Sequence, residues 1–297
     1  MKTERRTDPL LTGSGSGREG RRALGRVFRG ATVVATLVAV VALLLLLGEV
    51  MVNGAGSLSG TFFRNFASRF PERAGIRAPL LGTLWLLALT TVIAVPVSVG
   101  AAVYLEEYAP RTRLTRLVQG NIANLAGVPS IVYGILGLAL FVGIMDLGRS
   151  VLTGALTLSL LIMPMIVLAS QEALREVPAG IREAAYGLGA TRWQVVRHQV
   201  LPLALPGIVA GSILALSRAI GEAAPLIMVG ALSFIAFTPE SLSDPFTALP
   251  VQIFNWVARP QEEFQHLAAA AIIVLLVLLL SMNVVAILIR HRFGNRH

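Results

Sequence analysis

The most informative apolar stretch of this chain lies near its end, where residues 267–289 read LAAAAIIVLLVLLLSMNVVAILI. The stretch contains no charged side chain, and as a helix it is long enough to cross a hydrocarbon layer about 30 Å thick. A helix is the expected conformation, because it satisfies its own backbone hydrogen bonds where water is absent. These residues therefore predict a membrane-spanning helix close to the C-terminus.

The composition extends this interpretation to the whole chain. Of the 297 residues, 55% are hydrophobic and 14% are charged, whereas a soluble domain carries about 25% charged residues. We predict an all-α integral membrane protein with six transmembrane helices. The expected spans are 31–52, 80–105, 119–145, 150–170, 204–233 and 267–289.

The N-terminal segment differs in composition from the rest. Residues 1–30 are rich in arginine and contain the run GSGSG at residues 13–17, which predicts a flexible cytoplasmic tail. No small-residue cleavage site follows the first apolar block at 31–52. We therefore expect an uncleaved first span rather than a signal peptide.

The distribution of basic residues predicts the orientation in the membrane. The net charge of +9 comes almost entirely from arginine, since Lys2 is the only lysine. With the N-terminus inside, 18 of the 25 Lys and Arg residues lie in inside segments and 6 in outside segments. This bias is typical of topology control rather than of nucleic-acid binding, and it places both termini in the cytoplasm.

The first outer loop is unexpectedly basic for an outside segment. In one interpretation its arginines extend along the membrane interface beside phenylalanines. In the other they attract an anionic ligand or an acidic docking partner. The arginines are Arg64, Arg69, Arg73 and Arg77.

The longest inside loop, residues 171–203, predicts two short helices on the cytoplasmic face. Its first part is rich in strong helix formers, and Pro178 suits an early position in a second helix. Gly187 and Gly189 are expected to end that helix. Glutamate and arginine alternate along the loop, which argues against an amphipathic helix lying on the membrane surface.

The same loop carries a motif that resembles a known family. Residues 183–185, followed by Gly189 and by Leu201-Pro202, resemble the EAA loop of the permease subunits of ATP-binding-cassette importers. Gln199 departs from that pattern, which has an isoleucine-like residue there, and this weakens the inferred packing. In that family the loop is the coupling helix that docks into a cleft of the ATPase subunit. The resemblance assigns this docking role to Glu183, Ala184, Ala185 and Gly189.

The predicted fifth span contains two charged residues, Arg218 and Glu222. A charge at membrane depth costs at least about 2.5–3.5 kcal/mol, so it requires a partner. Their i, i+4 spacing places them on one helix face, together with Gly207, Gly211 and Ala215. Because small residues allow close helix packing, we expect this face to point inward.

Two roles fit this pair. In the first it lies on the translocation pathway, where Arg218 contacts a passing oxyanion through its forked donors and Glu222 neutralises it when the anion is absent. In the second the pair is purely structural and fixes helix packing.

A further cluster opens the third predicted span, where residues 124–134 read NLAGVPSIVYG. Pro129 frees a backbone carbonyl, which Ser130 or a neighbouring helix must satisfy. The segment is either a kinked packing helix or a hinge beside the substrate route. In the second case the hinge residues are Gly127, Pro129 and Ser130.

Three further segments resemble a smaller group within this family. Residues 126–134 and 218–225 are similar to segments of phosphate importer permeases, and residues 244–264 resemble the A-type rather than the C-type permease of that family. This implies the type I importer permease fold over residues 31–297, with the importer core at about 78–290.

The resemblance also implies a set of partners. These are a homologous second permease of the C type, a dimer of ATPase subunits and an extracytoplasmic phosphate-binding protein, with inorganic phosphate as the substrate and membrane lipid around the chain. ATP and Mg²⁺ belong to the ATPase, since this chain has no G-x-x-x-x-G-K-[ST] motif. We expect no catalytic residues, no metal site, no cofactor bound by this chain and no nucleic-acid partner.

Three alternatives stay open. The first is a permease for another oxyanion, such as sulfate or molybdate. The second is a self-sufficient secondary transporter, which predicts repeated halves and several buried charges. The third is a membrane signalling subunit that reports phosphate supply.

Overall fold

The computed structural model describes residues 16–232 and 234–294, and every regular element within these ranges is a helix. Five helices are long and apolar enough to cross a membrane, and a bent pair provides a sixth candidate. The predicted all-α membrane fold is confirmed. The candidates are Val27–Ala55, Arg77–Tyr108, Arg113–Leu125 with Ser130–Ile144, Val151–Arg175, Arg192–Ile220 and Glu262–Leu288.

The first helix, α1 (Ser16–Ala55), begins well before the predicted first span. Within the predicted flexible tail, residues 16–30 are therefore helical, and residues 1–15 lie outside the described residues. The helix extends because alanine, arginine, leucine and glutamate are good helix formers. The chain divides into two compact units, one up to Val50 and one from Met51 onward.

The second unit is built around α6 (Val151–Arg175), which packs against both α3 (Arg77–Val103) and α9 (Leu201–Ile220). α6 is buried along most of its length. Within the helix, Thr157 donates to the carbonyl of Thr153 at 2.8 Å and Ser159 to that of Ala155 at 2.7 Å, whereas the buried hydroxyl of Ser170 has no hydrogen-bond partner among the described residues. This central helix therefore fixes the positions of the two spans that carry the predicted functional residues.

Small residues bring α9 close to α6. A Cβ added at Gly207 would lie 2.7 Å from the Cβ of Ala173, and one at Gly211 would lie 2.4 Å from the Cβ of Ala169. Ala215 of the same stripe is buried. The predicted inward packing of this face is confirmed, and the small side chains are what allows the two backbones to approach.

The third span is not the single helix predicted over 119–145. Two helices, α4 (Arg113–Leu125) and α5 (Ser130–Gly137), meet at a bend of 103°, and a π-helical turn (Leu138–Ile144) continues α5. Pro129 has an extended ψ of 137° and no N–H to donate, so the helix ends before it. The proline therefore breaks the span rather than kinking it.

The fifth span also differs from the predicted 204–233. It begins earlier, at a capping box that Thr191 forms with Gln194, and it ends at Gly221. A proline four residues after this glycine prevents the helix from continuing. The pieces are α8 (Arg192–Val195), a π-helical turn (Val196–Val200), α9 and the separate short helix α10 (Ala224–Met228).

At the other end of α6, an irregular segment before α11 (Leu249–Val257) closes over the spans. The N–H of Val151 donates to the carbonyl of Asp244 at 3.0 Å. The backbone N–H groups of Ser241 and Glu240 and the hydroxyl of Ser241 donate to the Asp244 carboxylate. These donors hold the pKa of Asp244 below its ordinary value. The last helix, α12 (Glu262–Gly294), follows.

The basic segment that leads into α3 contains α2 (Gly60–Arg64) and two arginine–phenylalanine contacts. The guanidinium of Arg69 lies 4.9 Å from the ring centroid of Phe70, and that of Arg77 lies 5.3 Å from the ring of Phe66. Such stacking supports the interfacial interpretation of these arginines. Attraction of an anion or an acidic partner stays a prediction.

Candidate functional site

The loop that carries the EAA motif is a sequence of short helices between the two central spans. After α6 ends, Pro178 caps α7 (Ala179–Gly187), and α8 follows directly. Gly189 has a φ of +80°, a left-handed conformation that side chains with a Cβ rarely adopt. The predicted second helix, from Pro178 to the glycines, is confirmed as α7, whereas the predicted first helix is not separate, because residues 171–175 belong to α6.

The residues of the motif have different surroundings in this arrangement. Glu183 and Ala184 are exposed on α7, and Gly189 is exposed at its end. Ala185 is half-buried and packs against the core that α6 and α9 form beneath α7. Its carbonyl accepts from the N–H of Ala190 at 3.1 Å, which closes the turn. The motif therefore combines an exposed helix face with a hydrogen-bonded turn at the C-terminus of α7.

Large apolar side chains, which sequence reasoning missed, surround the end of α7. Leu188 is 90% exposed and Trp193 is 58% exposed, and Tyr186 lies beside them. Exposed apolar side chains next to charged ones are typical of a protein-binding surface. The run YGLGATRW, residues 186–193, could have indicated this, since two glycines and a capping threonine keep its apolar residues out of a helix core.

Arg182 anchors α7, and sequence reasoning missed this role as well. Its guanidinium donates to the carbonyls of Leu174 and Val177 at 2.8 and 2.6 Å, at the C-terminus of α6. It also pairs with Glu107, beyond α3, at 2.8 Å. α7 is therefore attached to the ends of two spans.

Arg218 and Glu222 lie together, as predicted. Arg218 is in the last turn of α9, and its Nε lies 3.5 Å from Oε1 of Glu222. Glu222 itself follows the end of the helix, because Gly221 terminates α9, so the prediction of one continuous helix face was wrong at this point. The Arg218 side chain is 47% exposed in the chain alone, and its Nη1 contacts the Met165 sulfur at 3.6 Å.

This geometry leaves some N–H groups of the Arg218 guanidinium free to bind another anion. A single contact at 3.5 Å to one carboxylate oxygen does not occupy the five N–H donors of an arginine. The exposed N–H groups can donate to the oxygens of a second anionic partner, in place of Glu222 or beside it. The arrangement is therefore compatible with the transport role and does not require it.

The predicted hinge residues lie at the bend between α4 and α5. Gly127 and Pro129 are in the break itself, and Ser130 begins α5. The hydroxyl that reaches across the bend belongs to Tyr133, which donates to the carbonyl of Leu125 at 2.8 Å. Sequence reasoning expected Ser130 or a neighbouring helix in this role, and it missed Tyr133.

The bend is also next to the charged pair. Gly134 of α5 packs so closely on α10 that an added Cβ would lie 2.8 Å from the Cβ of Met228 and from the Cα of Pro225. α10 begins two residues after Glu222. A change of angle at the bend would therefore displace the backbone that carries Glu222.

Comparison with known proteins identifies the family. The model of the binding-protein-dependent transport system inner membrane component matches residues 94–295, about two thirds of the chain. The chain belongs to this family. The match includes α7, the bend and the charged pair, so the candidate site of this inner membrane component lies in the part that the family shares.

Relatives of similar length support the assignment. Phosphate transport system permease protein PstA 1 of Mycobacterium tuberculosis is 33% identical over 259 residues, 86% of this chain and 84% of the relative. PstA of Haemophilus influenzae is 31% identical and covers 89% of this chain and 93% of its own. The probable ABC transporter permease protein YqgI of Bacillus subtilis is 34% identical over 71% of this chain and 75% of its own.

Solved structures agree on the fold. A chain of a bacterial alginate ABC transporter has a TM-score of 0.65 at 15% identity, covering 93% of this chain and 96% of that chain. A chain of the MetNI methionine ABC transporter has a TM-score of 0.56 at 21% identity, covering 71% and 94%. At these identities the likeness shows the fold, which is the ABC importer permease fold.

Proposed function

We propose that this chain is the transmembrane permease subunit of an ATP-driven phosphate importer, in which it forms half of the translocation pathway. The observation that carries the proposal is the half-exposed Arg218 on the central helix pair, in a chain whose relatives are named phosphate transport permeases. An arginine fork suits the oxygens of phosphate. Sulfate or molybdate is not favoured, because the names of these relatives specify phosphate.

The A-type assignment draws on the likeness of residues 244–264 to the A-type permease and on relatives named PstA that align with 86% and 89% of the chain. Coverage alone does not separate the two types, because PstA of Yersinia pestis aligns with 71% of the chain and PstC of Mesorhizobium japonicum with 74%. The second permease of the complex is then a C-type subunit, and the two chains enclose the pathway between them.

The surface around α7 is assigned to the ATPase. Glu183 and Ala184 form its exposed helical part, and Leu188 and Trp193 supply apolar side chains that a partner can bury. ATP and Mg²⁺ are bound by a dimer of these partner subunits. The basic residues of the inside segments support a cytoplasmic position for α7 and for both termini.

We propose that this subunit transports phosphate by alternating access. An extracytoplasmic phosphate-binding protein delivers phosphate to the outer segments, and ATP-dependent closure of the ATPase dimer displaces α7. A ligand can shift a conformational equilibrium only by binding its states differently. The displacement therefore requires an ATPase surface that holds α7 differently with and without ATP.

Reconstitution tests this proposal. The chain is co-expressed with its three partner proteins, and uptake of radiolabelled phosphate into proteoliposomes is measured with and without enclosed ATP. We expect uptake that requires ATP and that excess sulfate does not reduce. ATP-independent uptake by this chain alone would support a secondary transporter instead, and competition by sulfate would support another oxyanion.

A further inference from the structure

One turn of helix contacts every piece of the segment around α7. α3 continues into a π-helical turn, Tyr104–Tyr108, and three successive residues of this turn each meet an arginine. The arginines come from the end of α6, from α7 and from the start of α8. The pairs are Glu106 with Arg175, Glu107 with Arg182, and the ring of Tyr108 with Arg192 at 5.2 Å.

These three contacts are not equivalent. The side chains of Glu107 and Arg182 are only 9% and 22% exposed, and the guanidinium donates to Oε1 of Glu107 through both Nη2 and Nε. The Glu106–Arg175 pair is more open, because Arg175 is 53% exposed although the Glu106 side chain is only 16% exposed. An exposed pair contributes little, whereas removing one partner of a buried pair leaves an uncompensated charge. Of the two ion pairs, Glu107–Arg182 therefore contributes more to holding α7 against the helix that continues α3.

The attachment joins α7 to a helix that reaches the opposite side of the protein. At the other end of α3, Thr83 is buried, and its hydroxyl accepts from the N–H of Leu249 at 2.9 Å. Gly82 lies against the same segment, where an added Cβ would clash with the carbonyl of Thr247. α3 is thus held at both ends, by Glu107 next to α7 and by Thr83 next to α11.

We propose that the Glu107–Arg182 pair is the link through which displacement of α7 is passed to α3 and from there to the outer segment. Glu107 is then a positioning residue for coupling. The inference rests on the proposed function, because it requires α7 to be the helix that the ATPase moves. Without Glu107, α7 keeps its hydrogen bonds to the end of α6 and its packing on the core, but it loses its ionic contact with the helix that continues α3.

The test uses the complete complex with its binding protein in proteoliposomes. Glu107→Gln keeps the size of the side chain and removes its charge, and Glu106→Gln is the matched control at the neighbouring exposed pair. For Glu107→Gln we expect normal co-purification of the ATPase but about a tenfold smaller stimulation of ATP hydrolysis by the phosphate-loaded binding protein, with an equal loss of uptake. Glu106→Gln should keep both activities.

Normal stimulation and uptake in Glu107→Gln would overturn the inference. If that variant does not assemble, the double variant Glu107→Gln with Arg182→Gln removes the unpaired charge and is measured instead. Normal coupling in the double variant, or its failure to assemble, would also overturn the inference, because the pair would then serve folding alone. A wild-type chain that binds no ATPase would overturn the proposed function, and this inference with it.

Discussion

At the residue scale, the charged pair at the end of α9 combines a fixed backbone position with an accessible charge. Arg218 follows the small-residue stripe that packs on α6, so its backbone is fixed, while its side chain remains half exposed. Glu222 lies beyond Gly221, outside the helix that holds Arg218. The two partners can therefore separate without unwinding a helix, as exchange with a passing anion requires.

Substitution of Arg218 tests this role. Arg218→Gln removes the charge and should reduce phosphate uptake about 10-fold to 100-fold, the equivalent of one or two hydrogen bonds to a charged group. Arg218→Lys keeps the charge without the fork and should retain intermediate uptake. Uptake in proteoliposomes, corrected for the amount of assembled complex, is the measurement. Wild-type uptake by both variants would leave the pair a purely structural role.

The end of α7 allows a second test at this scale. Gly189 has a φ of +80°. Gly187 is the last residue of α7, and a Cβ added to it would meet no atom within 4 Å. Gly189→Ala should cost about 1–2 kcal/mol of local stability and weaken co-purification of the ATPase. Gly187→Ala is the matched control and should bind as the wild type does. Equal binding by both variants would show that the left-handed turn is not needed for docking.

Local patterns predicted these residues, but not their long-range partners. The EAA segment, the glycines and the i, i+4 pair can be found within a few positions of sequence. Glu107 and Arg182 are 75 positions apart, and nothing in either neighbourhood specifies the other. Their pairing depends on how α3 and α6 pack, which a single sequence does not contain.

At the element scale, hydrophobicity predicted the existence of the spans but not their ends. The span that carries Arg218 starts at Arg192 and ends before Gly221, because a capping box and a glycine decide its bounds. The apolar run, by contrast, begins later than Arg192, near residue 204, and it continues past Gly221. Likewise the third span is apolar on both sides of Pro129, so its length suggested one helix where the structure has two.

The packing of α9 on α6 can be tested with one pair of variants. Gly211→Val places side-chain atoms where the Cβ of Ala169 lies, and it should destabilise the helix pair by about 1–3 kcal/mol. Gly100→Val, in α3, meets no atom within 4 Å and is the matched control. Thermal unfolding of the purified chain in detergent is the measurement. Equal stability of the two variants would contradict the close approach of the helices.

At the scale of the whole molecule, the account depends on the side of the membrane that α7 faces. Arginine counts predict that it lies in the cytoplasm, and its exposed apolar residues suit a soluble partner. The charged pair, the bend and the Glu107–Arg182 link acquire their proposed roles only if a motor holds α7 from that side. The chain contains no cysteine, so single cysteines can be introduced without a background.

The most direct measurement is therefore the accessibility of a cysteine at the end of α7. Leu188→Cys is labelled with a membrane-impermeant maleimide in right-side-out and inside-out vesicles, with Leu242→Cys, 40% exposed in the outer segment, as the control. We predict labelling of Leu188→Cys only in inside-out vesicles, and protection when the ATPase subunit is present. Labelling from the outer side, or labelling that the ATPase does not reduce, would contradict the account.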